Sequence, residues 1–374
     1  MSACLLSRLK IGYNLLILYI KPNMMAKVTG IKARKTDHLR INLEQDVMSG
    51  ITTGLERVGL VHQALPEFSL KQVNSQLTLF GRTLSVPLII SSMTGGTQVA
   101  GVINRTLAEA AQTCQVAMGL GSFRAALDHP EASASFKVRK MAPDILLFAN
   151  LGAIQLNYGI DTETCLRVVQ ECGADALILH LNPLQEALQL EGETDFSGLL
   201  KKIDGICRAL PVPVVVKEVG WGISVETARL LAGAGVSAID VAGAGGTSWS
   251  QVEMHRLEDP YLAQVAAAFR NWGIPTAESI RMIRKELPRM TLLASGGLRS
   301  GVDIAKCIAL GATAGGMAGP FLKAASDSFE AVIHTIDTIK QQFRVAMFAC
   351  GVKDLKALSE VKTIEIDSSH THNV

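Results

Sequence analysis

Aromatic residues are scarce in this 374-residue chain, at 5% of the total, so it lacks the ring platforms on which single-stranded nucleic acids stack. Neither sign of charge dominates: 36 basic against 34 acidic residues leave a formal +2, and no overall field favours nucleic acid or a membrane surface. An anion has to be bound locally. The seven cysteines (Cys4, Cys114, Cys165, Cys172, Cys207, Cys307, Cys350) are scattered and form no CxxC pair, which removes the usual signature of a zinc site or a dithiol couple. Free thiols point to a reducing cytoplasm. The apolar run Ile11 to Ile20 is shorter than the roughly 20 residues needed to cross a bilayer. It continues as Lys21-Pro22-Asn23-Met24-Met25 without a small-residue cleavage site, so residues 1–24 read as an extension, with an alternative start at Met24 or Met25. Missing too is a GxGxxG turn after a first strand with an acid about 20 residues on, the mark of a doubly wound dinucleotide fold.

What is present is an ample core, with 48% hydrophobic residues, and 33 glycines for tight turns. From residue 86 onward, short β-branched runs alternate with helix-length segments, as βα units around a buried parallel sheet do. Eight strands are expected: Val86 to Ser92, Val116 to Leu120, Ile145 to Leu151, Ala176 to Leu181, Val214 to Val219, Ala238 to Ala242, Thr291 to Ser295 and Ala312 to Met317. Between the third and fourth, Asp161 precedes the periodic Cys165, Leu166, Val169 and Cys172, and Gly173 supplies a C-terminal cap. The expected fold is an α/β (β/α)8 TIM barrel with an N-terminal elaboration. Residues 1–24 form the extension, 25–85 a segment acting as a lid, 86–350 the barrel and 351–374 a C-terminal tail. Within 25–85, Leu77 to Leu79 and Leu84 look strand-like.

Each strand is followed by a glycine-rich or polar loop: SSMTGG, GLGSFR, NLG, HLNPLQE, KEVGWG, AGAGGTSW, SGGLRSG and GMAGPF. In a (β/α)8 barrel these loops converge on the face where the chemistry takes place. The last two match a phosphate cradle, with Gly296, Gly297 and Arg299 in one and Ala318 and Gly319 in the other; glycine lets backbone N–H groups approach the anion. Lys217 ends an otherwise apolar strand and needs an anionic partner. That partner is either the N1–C2=O edge of a reduced flavin or a carboxylate such as Glu218 or Asp240. In HLNPLQE, Glu186 is the one acid and a candidate Mg²⁺ ligand, while His180 and Asn182 alternate along the strand so as to point the same way. Arg34, Lys35 and His38 form a compact cationic group upstream.

Taken together with RKTDHL, these loops resemble the type 2 isopentenyl-diphosphate isomerases, in that family's order over roughly residues 30–350. The resemblance implies an enzyme that interconverts isopentenyl and dimethylallyl diphosphate with FMN and Mg²⁺, primed by NADPH, and assembled as a homotetramer or homo-octamer. It implies FMN contacts from Ser92, Met93, Thr94, Ser122, Asn150, Lys217, Thr247, Gly296, Gly297, Arg299, Ala318 and Gly319. Arg34, Lys35, His38, Arg124, His180, Asn182 and Gln185 would face the substrate, a small-molecule diphosphate, and Glu186 would hold Mg²⁺. Gln185 and Lys217 are the candidate catalytic residues, since the sequence offers no carboxylate pair for acid and base and the flavin would move the proton. One departure is Ala242, where the family often has a serine.

An FMN-dependent 2-hydroxyacid oxidase or dehydrogenase is the alternative on the same barrel. Its chemistry needs a His base and an Arg clamp beyond the sixth strand, where this chain has Gly245, Gly246, Thr247 and Ser248. An inosine-monophosphate-dehydrogenase-like enzyme would need a nucleophilic cysteine in the same region, and none of the seven falls there.

Overall fold

Strands that are apolar at every position must be covered on both faces, which a parallel barrel inside a ring of helices achieves. The computed structural model describes residues 31–367 and has this arrangement. Three strands precede the barrel: β1 (Val58–Leu60), β2 (Leu77–Leu79) and β3 (Arg82–Leu84). The barrel consists of β4 (Leu88–Ile90), β5 (Ala117–Gly119), β6 (Leu147–Gly152), β7 (Ala176–His180), β8 (Val214–Lys217), β9 (Ala238–Asp240), β10 (Leu292–Ala294) and β11 (Ala314–Met317). Each pairs in parallel with its neighbours, and β11 closes the ring on β4. A last strand, β12, spans Thr363–Glu365. The extension expected at residues 1–24 lies outside the described residues.

All eight expected barrel strands are present, most of them trimmed at their ends. Pro87 has no N–H to offer the sheet, while Val116 and Ala312 donate theirs to Ala111 and Cys307 of the preceding helices. Alternation sorts the side chains. Ile89, Ala117, Phe148, Ile178, Val215 and Leu293 fill the barrel interior, whereas Leu88, Ile90, Met118, Leu179 and Val216 pack outward under the helices. Helix Thr162–Cys172 begins and ends as its sequence predicts: Asp161 accepts from Thr164 N at 2.8 Å and Gly173 is left-handed at φ 60°.

The segment expected to act as a lid divides into two parts. Helix Ile31–Glu44 lies over the open end, seated by Ile41 and Val47 on Val252 and Trp249. The β2–β3 hairpin instead closes the opposite end, with Leu79 and Leu84 joining the interior cluster and Phe80 meeting Phe148 edge-on at 6.3 Å. Arg82 fastens it there through Asp175, which also accepts from Arg139 and Leu147 N. Nor is the described C-terminal tail loose, because β12 pairs antiparallel with β1.

Candidate active site

Register brings the strand ends together. Gly152 pairs with His180, His180 with Lys217 and Lys217 with Asp240, so the third to sixth strands end in one row at the mouth. Above that row lies a cavity of about 810 Å³. Every site residue expected from sequence lines it. On one wall stand Arg34, Lys35, His38, Arg124, His180, Asn182, Gln185 and Glu186. The same cavity is bounded by Ser92, Met93, Thr94, Ser122, Asn150, Lys217, Thr247, Gly296, Gly297, Arg299, Ala318 and Gly319, with Asn150 against His180 and Ser122 against Lys35.

The glycines of the last two loops have different reasons for being glycine. Gly296 and Gly297 have φ of 100° and 79°, and a Cβ on either would meet the backbone of Gly243 or Gly245 within 2.5 Å. Close packing therefore explains their identity, while among the described residues their N–H groups have no protein acceptor. Gly319 differs. A Cβ there would meet no protein atom within 4 Å, and the residue opens helix Gly319–Asp327, whose first turn is positively polarised. Ser91 and Ser92 add buried hydroxyls without a protein partner at the same cavity. Free donors, open space at a helix N-terminus and orphaned hydroxyls fit an FMN phosphate and ring.

Lys217 makes no ion pair with either of the carboxylates weighed for it. Its Nζ donates to the Glu218 carbonyl at 2.7 Å. The Glu218 carboxylate instead accepts three backbone N–H groups, from Val219, Gly220 and Trp221, although burial raises its pKa to about 7. Asp240 accepts from Ser295 N and Oγ. Among the described residues no carboxylate lies within ion-pair distance of Lys217, which leaves its charge for a ligand. Ala242 lines the cavity with a left-handed φ of 38° and places only a methyl group where a hydroxyl would otherwise stand.

On the substrate side, helix Ile31–Glu44 presents Arg34, Lys35 and His38 inward. Arg34 donates to Gln189 Oε1 at 2.9 Å and Lys35 Nζ to the Ser122 carbonyl at 2.8 Å. Burial, with Arg34 next in weight, lowers Lys35 to about 7. His180 sits 2.8 Å from Asn150 Oδ1; burial, reinforced by Lys217 and Lys35, lowers it to about 3, so the ring is neutral. Glu186 accepts from Asn182 Nδ2 at 2.9 Å and from Glu193 N at 2.8 Å. Among the described residues no cluster of three metal-ligating side chains occurs. A lone carboxylate still suits Mg²⁺, which keeps several waters and takes oxygens from a substrate phosphate.

Sequence reasoning missed Glu253, which does not line the cavity but lies directly behind residues that do. Its fully buried carboxylate is 3.0 Å from His38 Nε2 and accepts from Gln185 Nε2 at 3.2 Å and Arg256 Nε at 2.7 Å. Burial pushes its pKa up, but His38 and Arg256 outweigh that and hold it below the usual value. Asn182 and Gln185 thus bridge two carboxylates, Glu186 and Glu253. The available signal was the pair Trp249 and Glu253 at i, i+4 on helix Trp249–Arg256. Glu193, which holds Arg124 through two hydrogen bonds of 2.9 and 2.5 Å, carried no sequence signal.

A closed parallel barrel with this cavity at its C-terminal strand ends defines a (β/α)8-barrel protein with its ligand site on the usual face. In agreement, the profile of the FMN-dependent dehydrogenase family matches residues 154–364. The isopentenyl-diphosphate delta-isomerase of Nostoc sp. is 48% identical over 335 residues, covering 89% of this chain and 96% of that protein. That of Synechococcus sp. is 51% identical with the same coverage, and that of Rickettsia bellii 46% identical, covering 90% of this chain and 98% of that protein. The chain belongs to the isopentenyl-diphosphate delta-isomerase family. Among solved structures a mandelate oxidase superposes with TM-score 0.62 at 18% identity over 96% of this chain and 98% of that one, a likeness of fold alone.

Proposed function

We propose that this chain interconverts isopentenyl diphosphate and dimethylallyl diphosphate, using FMN, Mg²⁺ and a priming reduction by NADPH. The observation that carries this reading is that one cavity holds both the open helix N-terminus at Gly319 with the partnerless Ser91 and Ser92 hydroxyls, which suit FMN, and the group Arg34, Lys35, Arg124 and Glu186, which suits a magnesium diphosphate. The family membership at 46–51% identity supports it. When bound, reduced FMN supplies the proton donor and acceptor for moving the double bond.

The residues do the positioning. Arg34, Lys35 and Arg124 bind the diphosphate, and Glu186 holds Mg²⁺ against it, so that the alkene is oriented by binding energy gained remotely from the reacting carbons. Lys217, free of carboxylate partners among the described residues, would hold the negative charge of a reduced flavin. Gln185 is fixed between Asn182 and Glu253 and would help to orient the alkene. Helix Ile31–Glu44 lines the mouth and would shield a bound substrate from water. We place the enzyme in the cytoplasm as a homotetramer or homo-octamer; six free cysteines among the described residues suit a reducing compartment, and none of the described helices is long and apolar enough to cross a membrane.

The two diphosphates have the same oxidation state, so NADPH is needed only to prime the flavin. Under anaerobic conditions, product followed against nicotinamide absorbance is expected to give many turnovers per NADPH. A fixed one-to-one ratio rejects the isomerase and favours an oxidoreductase.

A further inference from the structure

Helix Pro183–Leu188 carries Glu186, and the chain then folds back tightly on it. A Cβ on Gly192 would lie 1.7 Å from the Glu186 carbonyl oxygen, so only glycine permits the approach. The turn sets Glu193 N 2.8 Å from Glu186 Oε2 and swings its side chain onto Arg124. There the carboxylate meets the guanidinium in a two-pronged pair, Nη1–Oε2 2.9 Å and Nη2–Oε1 2.5 Å, with side-chain exposures of only 23% and 14%. A phosphate group would take the same fork. The remaining edge of Arg124 faces Asp128, with Nε 3.9 Å from its carboxylate. Among the described residues Arg34 and Lys35, in contrast, hydrogen-bond neutral groups, Gln189 and the Ser122 carbonyl.

We propose that Glu193 is a stand-in anion: it occupies the phosphate-binding edge of Arg124 until a diphosphate displaces it, and so selects for ligands that carry more than one anionic group. This rests on the diphosphate reading of the cavity. Exchanging one carboxylate for a single phosphate or carboxylate ligand gains little, because one charge-assisted pair replaces another. A diphosphate engages Arg34 and Lys35 as well, and those contacts drive the exchange. Glu193 is thereby a specificity-determining residue of the substrate site.

The test measures binding of inorganic pyrophosphate and inorganic phosphate to the full-length, FMN-loaded enzyme by calorimetry without Mg²⁺, with the flavin phosphate filling its own cradle. In Glu193→Gln, pyrophosphate is expected to bind about tenfold tighter, as removal of a charge-assisted competitor implies, and phosphate to gain by a larger factor, so that discrimination falls. Glu193→Asp, which keeps the charge but cannot span both guanidinium nitrogens, is expected to lie between. In an Arg124→Gln background the Glu193→Gln effect disappears. Unchanged or weaker pyrophosphate binding in Glu193→Gln overturns the proposal, as does an equal effect with Arg124 absent. Weakening seen only when Mg²⁺ is added makes Glu193 a metal ligand instead and overturns it too. If the parent binds neither anion, the diphosphate reading itself fails and takes this proposal with it, a result distinct from the others.

Discussion

Lys35 is the residue whose environment most directly sets a pH response. Its pKa stands at about 7, lowered chiefly by burial from an ordinary 10.5. An anionic substrate needs the ammonium form, so KM is expected to rise as pH climbs above about 7, while Lys35→Arg, charged throughout, flattens the profile. For stability the sign is opposite. Between about 7 and 10.5 the unfolded chain holds one proton more than the folded one, so the substrate-free protein gains stability with rising pH across that window. A KM independent of pH from 6 to about 9 would contradict the assignment of Lys35 to the diphosphate. Glu186→Gln is expected to raise the half-saturating Mg²⁺ at least about tenfold with FMN content unchanged, because an amide is a far poorer ligand than a carboxylate. An identical Mg²⁺ titration in mutant and parent removes Glu186 from the metal. The cradle glycines give a sharper contrast. Gly319→Ala meets no protein atom, so the FMN-free protein should melt as the parent does while binding FMN at least about tenfold more weakly, through the lost close approach to the phosphate. Gly296→Ala would meet Gly243 O at 2.1 Å in a left-handed backbone, and is expected to lower the melting temperature of the FMN-free protein itself.

Among elements, helix Ile31–Glu44 has the least intrinsic reason to stay where it is. It has no acidic residue in its first turn and no basic one in its last, and its apolar anchorage is the small cluster of Ile41, Val47, Val252 and Trp249 together with Leu39 on the main core. Truncating a fully buried isoleucine costs about 2–5 kcal/mol, which is large for so small a contact. Ile41→Ala is therefore expected to undock the helix, raising KM tenfold or more while FMN content and the barrel's melting temperature stay near the parent's. A variant with parental KM would mean that Leu39 and the polar contacts suffice to hold the helix. The sequence expectation that residues 25–85 contribute a lid left the place of the hairpin open, because strand propensity says nothing about which end of a barrel a hairpin caps. Leu79, Leu84 and Phe80 go to the far end because the barrel interior there needs filling around Phe148.

For the whole molecule, residues 1–23 precede every motif that meets at the cavity, and a variant lacking them is expected to retain full activity; failure to fold or loss of turnover would show that the extension belongs to the working enzyme. The barrel, its eight strands and all the expected lining residues were legible in the sequence. Strands buried on both faces leave an uninterrupted apolar run, and functional groups in this architecture must follow those runs directly, so period and position together betray them. Partnerships were another matter. Whether Lys217 spent its charge on Glu218 or Asp240 depended on where backbone N–H groups and Ser295 lay, and these captured both carboxylates. Glu253 came into the site because helix Trp249–Arg256 faces helix Pro183–Leu188 and the lid, and Glu193 because a glycine turn folds it 69 residues back onto Arg124. A sequence fixes which charges exist and which strand each follows; pairing between them is a matter of a few ångströms across different elements, and only the packed tertiary structure sets such distances.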